Sequence, residues 1–240
     1  MLRCSGVTMR FGGLVPLDGV DLHVPERGLF LVVGPNGAGK TTLLNVISRL
    51  VTPAAGSVRF ADRDLLALEP SALLDAGIAR SFQKAELFVG LSALDNVLVG
   101  LDHRHLPERA ARVRAIGMLE ALGLGGVAHV AAGTLSHGYQ KLVDLARALV
   151  SEPKLLLLDE PLAGVTAAEI PTLLAAIRDA ARERAVLMIE HHLELVLDLA
   201  ERVTVLDFGR TISEGPPEAV RRDPAVIRSY LGGKAVEHAW

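Results

Sequence analysis

Two clusters in this 240-residue chain have the residue types and spacing for phosphate chemistry. The first is Gly34-Pro35-Asn36-Gly37-Ala38-Gly39-Lys40-Thr41, with Thr42 directly after it. It fits G-x-x-x-x-G-K-[ST], the P-loop pattern. Glycines let backbone N–H groups close around phosphate oxygens where a Cβ would obstruct them. Lys40 is placed to reach β- and γ-phosphates, and the Thr41 hydroxyl to ligate Mg²⁺. The second cluster is Asp159-Glu160, two adjacent carboxylates closed off by Pro161 after four leucines. Beside a phosphate loop, the first carboxylate holds Mg²⁺ directly or through water. The second is positioned to polarise a water against the γ-phosphate.

Four further candidates are weaker alone. Ser136 and Gly138 stand where a helix begins, with Leu142, Leu145, Ala146 and Leu149 as its apolar stripe. Ser136 is a natural N-cap, but a cap does not require glycine two residues later. That favours a second anion-binding helix start, with the Ser136 hydroxyl and the Gly138 N–H presented to phosphate. Gln83 ends a short strand, where it is either an ordinary surface glutamine or a reach toward metal or water. His191 follows another strand end, beside the expected γ-phosphate, where it can donate a hydrogen bond. Phe11 adjoins Gly12-Gly13 and reads equally as a ring stacked on adenine or as a hydrophobic plug.

These residues need strands that end together. Leu29–Val33 is a continuous apolar run, as is Leu155–Leu158, and both read as parallel strands covered on both faces. Ala185–Ile189 reads the same way and ends in Glu190-His191-His192. Leu43, Val46, Ile47 and Leu50 give the helix after the glycine loop. Residues 2–9, Val20–Val24 and Ser57–Phe60 read as flanking antiparallel strands. Asp95–Leu101, Glu108–Leu122 and His137–Val150 read as helices inserted between core strands. Arg104, Arg109, Arg112 and Arg114 read as a solvated helix face. The fold class is α/β: a P-loop NTPase (RecA-like) parallel sheet core, an N-terminal antiparallel β subdomain and an inserted helical subdomain. The expected division is a single domain, with its core at 1–83 and 153–233, helices at 84–152 and a tail at 234–240.

Composition narrows the function. Net charge is −3, aromatic residues make up 4% and the isoelectric point is near 6.2, which argues against a nucleic-acid partner. One cysteine, Cys4, excludes an internal disulfide framework and suits a reducing compartment. Met1–Ser5 carries no secretory pattern. Mean hydropathy is +0.35, and Ala121–Gln140 lacks charged residues, yet its glycines and histidines argue against direct membrane insertion.

In this order, the P-loop, Gln83, Leu135–Gln140, Asp159-Glu160 and His191 resemble the ATPase subunit of ABC transporters, over about residues 2–233. Arg10-Phe11-Gly12-Gly13, Arg80-Ser81-Phe82-Gln83, Leu135-Ser136-His137-Gly138 and Val226–Gly232 are most similar to subunits energising importers of branched-chain amino acids, urea or short amides. The resemblance implies ATP and Mg²⁺ as cofactors, a second ATPase subunit and transmembrane permease subunits as partners, and a peripheral location on the cytoplasmic face of the inner membrane. It implies a sandwich in which Gly34–Thr42 of one subunit faces Ser136 and Gly138 of the other. Phe11 would stack on adenine, Gln83 would sense Mg²⁺ and the lytic water, and Asp159 would hold Mg²⁺ through water. Glu160 would be the general base and His191 would contact the γ-phosphate. Tyr139 and Thr166 depart from the family pattern at the expected subunit contact. The alternatives are the ATPase of a lipopolysaccharide-type exporter or a soluble P-loop enzyme such as a small-molecule kinase. Ser81-Phe82-Gln83 favours the importer group, and no Asn-Lys-x-Asp for guanine is present.

Overall fold

A computed structural model describes residues 1–231; the expected tail at 234–240 lies outside the described residues. The strands are β1 (Leu2–Phe11), β2 (Leu14–Val24), β3 (Gly28–Val33), β4 (Ala55–Phe60), β5 (Arg63–Asp64), β6 (Ile78–Ser81), β7 (Leu155–Asp159), β8 (Ala185–Ile189), β9 (Arg202–Asp207) and β10 (Arg210–Gly215). The helices are α1 (Lys40–Ile47), α2 (Leu73–Ala76), α3 (Ala93–Val99), α4 (Glu108–Ala121), α5 (His137–Leu149), α6 (Ile170–Glu183), α7 (Leu193–Val196), α8 (Pro217–Arg221) and α9 (Pro224–Leu231).

A six-stranded sheet runs β10-β9-β3-β8-β7-β6, parallel except for β10 at one edge, and a four-stranded antiparallel sheet runs β2-β1-β4-β5. The apolar strands of the larger sheet are buried on both faces, and side chains alternate between two cores. Leu29, Leu31, Val33, Leu156, Leu158, Val186 and Met188 pack with α3–α6. Phe30, Val32, Leu155, Leu157, Leu187 and Ile189 pack with α1 and the four-stranded sheet.

Register brings the strand ends to one edge. Asp159 pairs with Ile189, and Glu160 N donates to Ile189 O at 2.9 Å, so Glu160 and His191 emerge side by side. Ser81 pairs with Leu158, which places Gln83 just beyond that edge. The glycine loop follows Val33, which pairs with Val205.

The second strand starts at Leu14, not Val20. Its first half pairs with β1 through register shifts that break the apolar alternation. It also carries Pro16, which β2 accommodates because it is an edge strand. The arginine face also differs. Arg104 donates to Ser151 O (2.6 Å), and Arg114 donates to Val150 O (2.9 Å) and pairs with Glu152. Both bind carbonyls at the C-terminal end of α5, where orphan acceptors and the helix dipole favour cations.

Candidate functional site

Between β3 and α1 the chain takes positive φ at Gly34 (149°), Gly37 (81°) and Gly39 (102°). Close approach makes two of these glycines obligatory. A Cβ on Gly34 would lie 2.0 Å from Leu206 O, and one on Gly39 would lie 2.2 Å from Pro16 O. The loop is a backbone cradle that side chains would fill. Gly39 caps α1 without a side chain, which leaves the first amides of the helix directed at the cradle. Lys40 is buried, and its Nζ donates to Gly34 O (2.7 Å) and Pro35 O (2.9 Å). Burial lowers its pKa, while Glu160 and Asp159 oppose that shift.

A cleft of about 290 Å³ is lined by Asn36, Gly37, Gly39, Lys40, Thr41 and Thr42 together with Leu14, Pro16, Glu160 and His191. A larger hollow of about 680 Å³ adjoins Glu26, Arg27, Lys154 and Arg184, at the amino-terminal starts of β3, β7 and β8. That is the opposite end from where open α/β sheets bind ligands. Phe11 is exposed at the β1–β2 hairpin, and its pair across the turn, Leu14, reaches the cleft instead.

Glu160 is gripped from two sides. Gln83 Nε2 donates to its Oε2 at 2.6 Å, and His191 Nε2 lies 2.7 Å from its Oε1. Two residues expected at the site, Gln83 and His191, thus converge on the carboxylate of a third. Glu160 adopts φ 46°, a left-handed conformation that costs a non-glycine residue about 1–2 kcal/mol. Such strain is retained where surrounding contacts over-determine the position.

Asp159 faces the other way. It is buried, and its Oδ2 accepts from Arg80 Nη2 at 2.9 Å. Arg80 Nη1 also donates to Asn45 Oδ1 (2.8 Å) on α1 and to Ser48 Oγ (2.6 Å) at its C-cap, and the guanidinium lies 4.7 Å from the Phe82 ring centre. Parity explains the meeting: Arg80 pairs with Leu157, so Arg80 and Asp159 share the α1 face as diagonal neighbours. Burial raises the Asp159 pKa, and Arg80 pulls it back.

Sequence reasoning missed two supports besides Arg80. Glu190 is buried and accepts from Leu162 N (2.8 Å), His191 N (2.9 Å) and His192 N (3.3 Å), fixing the segment that carries His191. Lys141 of α5 is buried too, and its Nζ donates to Gln83 O. A charged residue in an otherwise apolar buried stretch was the available signal, because such a group demands a partner.

Ser136 and Gly138 do not join this cleft. Ser136 caps α5 by accepting from Tyr139 N (3.3 Å), and its Oγ donates to Glu169 Oε1 (2.5 Å).

The residues fit a magnesium nucleotide. The cradle supplies amides and an ammonium, while no group of three or more His, Cys, Asp or Glu residues among the described residues forms a metal cage. Mg²⁺ in such sites is held by few protein groups plus substrate phosphates.

A family model described as ABC transporter matches residues 17–163. The chain belongs to the ABC transporter ATP-binding family. This ABC ATPase also matches, over residues 210–236, a model described as branched-chain amino acid ATP-binding cassette transporter. It is 36% identical to the high-affinity branched-chain amino acid transport ATP-binding protein BraF of Pseudomonas aeruginosa, covering 97% of this chain and 98% of that protein. The Escherichia coli protein LivG, with the same descriptive name, is 33% identical at the same coverage. Among solved structures, an ABC transporter cassette in its ADP conformation, MJ1267, superposes with a TM-score of 0.87 at 32% identity, covering 97% of this chain and 98% of that one. A dimeric cassette, MJ0796, bound to ADP and Pi superposes with a TM-score of 0.81 at 26% identity, covering 90% of this chain and 99% of that one. No helix among the described residues is long and apolar enough to cross a membrane.

Proposed function

We propose that this ABC ATPase is the energising subunit of an importer for branched-chain amino acids or related small polar solutes. In this reading two subunits sandwich Mg-ATP and act on permease partners at the cytoplasmic face of the membrane. The observation that carries the proposed chemistry is the Glu160 carboxylate, held between Gln83 and His191 at the mouth of the glycine cradle. The C-terminal match and the relatives' names support the substrate class.

Mg-ATP supplies the phosphoanhydride whose hydrolysis releases the energy. The amides of Gly34–Thr42 bind the phosphates, and Lys40 Nζ turns from the loop carbonyls to add charge. Thr41, Gln83 and Asp159 would hold the metal, with Arg80 fixing the Asp159 side chain. Glu160 accepts the proton of the attacking water, its contact to Gln83 fixes its direction, and His191 turns from Glu160 when nucleotide binds. His191 Nε2 is the donor available to the γ-phosphate. Phe11 serves the adenine face, and Ser136 with Gly138 serves the partner's nucleotide.

Glu160→Gln tests this reading. The variant should keep ATP affinity, lose turnover by about 10²–10⁴-fold and form an ATP-dependent dimer in size-exclusion chromatography with light scattering. Near-normal hydrolysis would remove the general-base role. Substrate class is tested by reconstituting the chain with permease and binding-protein subunits: leucine should stimulate hydrolysis more than a sugar does.

A further inference from the structure

We propose that Glu169 is an internal stand-in for the partner's phosphate: its carboxylate closes the start of α5 in the single subunit and must leave before the sandwich can form. The inference rests on the reading of Ser136 and Gly138 given above. Ser136 Oγ donates to Glu169 Oε1 at 2.5 Å. A Cβ on Gly138 would lie 2.4 Å from the Glu169 carboxyl carbon and 2.7 Å from both of its oxygens. The space that glycine leaves at the helix start is therefore filled by an anionic group of this same chain. Glu169 Oε2 accepts from Thr166 Oγ1 (2.6 Å) and Thr166 N (3.3 Å).

Glu169 occupies the N-cap position of α6 but makes no side-chain bond to that helix. A Ser, Thr, Asp or Asn side chain there ordinarily bonds the first amides of its own helix. Here Glu169 crosses to α5 instead. The hydrogen bonds from Ser136 and then Thr166 hold its carboxyl below the usual carboxylate range, so it is ionised at neutral pH. Two anions cannot share one helix start, because each needs the same donors and they repel.

The contact also ties α5 to the loop that follows Glu160. The loop from Pro161 to Glu169 starts immediately after Glu160. It touches α5 a second time at Gly164 (φ 75°), where a Cβ would lie 3.0 Å from the His137 ring. Release of Glu169 by an incoming phosphate therefore frees Thr166 and loosens the loop adjoining Glu160. Occupancy of one nucleotide site is thereby communicated to the other.

The test compares Glu160→Gln with Glu160→Gln/Glu169→Ala and Glu160→Gln/Glu169→Gln, using Mg-ATP titrations followed by light scattering. An exposed contact of this kind is expected to change each site by roughly threefold. Two sites per dimer then tighten association about tenfold in the Ala variant, with the Gln variant between. Calorimetric ATP affinity under monomeric conditions should not change, and the thermal midpoint should fall by no more than about 3 °C, which separates displacement from a loss of the fold. Unchanged or weaker association of the Ala variant, with the Glu160→Gln dimer intact, overturns this inference and leaves the sandwich standing. Absence of any ATP-dependent dimer in Glu160→Gln overturns the sandwich and this inference with it.

Discussion

Replacing Arg80 with Met should destabilise the fold through Asp159, and Asp159→Asn should reverse the loss. The two side chains form a buried ion pair at 2.9 Å, with 7% and 5% of their areas exposed. Removing one partner leaves an uncompensated buried carboxylate, at a cost of about 3–5 kcal/mol. For a domain of this size each kcal/mol lowers Tm by about 2–4 °C, so the midpoint should fall by roughly 6–20 °C. In Arg80→Met/Asp159→Asn the charge is gone and most of that fall should be recovered, although turnover is not. The pH dependence follows in sign. Burial already raises the Asp159 pKa above its ordinary value, against the pull of Arg80. A group with a raised folded pKa contributes stability that is complete below its unfolded value and lost as pH climbs through the folded one. Without Arg80 the folded value rises further, so the deficit is largest at neutral pH and shrinks on acidification. Calorimetric scans of the parent, Arg80→Met and Arg80→Met/Asp159→Asn between pH 4 and pH 8 measure this. An Arg80→Met midpoint within about 3 °C of the parent at pH 7, or no rescue by Asp159→Asn, would refute the reasoning.

Gly34→Ala should cost about 3 kcal/mol or more, since its Cβ would lie 2.0 Å from Leu206 O at a φ of 149°; an unchanged melting point would show that the β9 backbone yields there. Glu190→Gln turns an NH₂ toward one or more of three backbone donors. It should lower stability by about 2 kcal/mol and slow hydrolysis with ATP affinity retained, as read by calorimetry beside a phosphate-release assay.

Chemistry was most legible where it is local in sequence. The glycine loop, Asp159-Glu160 and the strand runs before them announce themselves within a few residues of each other. The register that brings Gln83, Glu160 and His191 together was inferable only as a shared sheet edge, because pairing distances are not written in any one strand. Arg80 and Glu190 escaped for a related reason: the carboxylate that pairs with Arg80 lies 79 residues away, and the most distant donor to Glu190 lies 28 away. Arg80 interrupts the short run Ile78-Ala79 with a charge that has to be satisfied somewhere, yet nothing local says by what. The arginines at 104 and 114 read as solvated because a run of like charges ordinarily faces water. Their long stems let the guanidinium groups return to the α5 carbonyls.

The central sheet divides its strand residues by parity between two unlike neighbours, helices on one side and α1 with a β-layer on the other. Sequence drift in this chain therefore runs under two separate volume ledgers interleaved letter by letter. A methyl lost at Leu156 can be regained only on the side of the sheet that packs α3–α6, and one lost at Leu157 only on the side that packs α1 and the four-stranded sheet. Compensating pairs among relatives should fall into two families that never mix across adjacent positions of one strand. A single-residue deletion inside β7 would transpose both families at once, carrying Asp159 away from Arg80 as it did so.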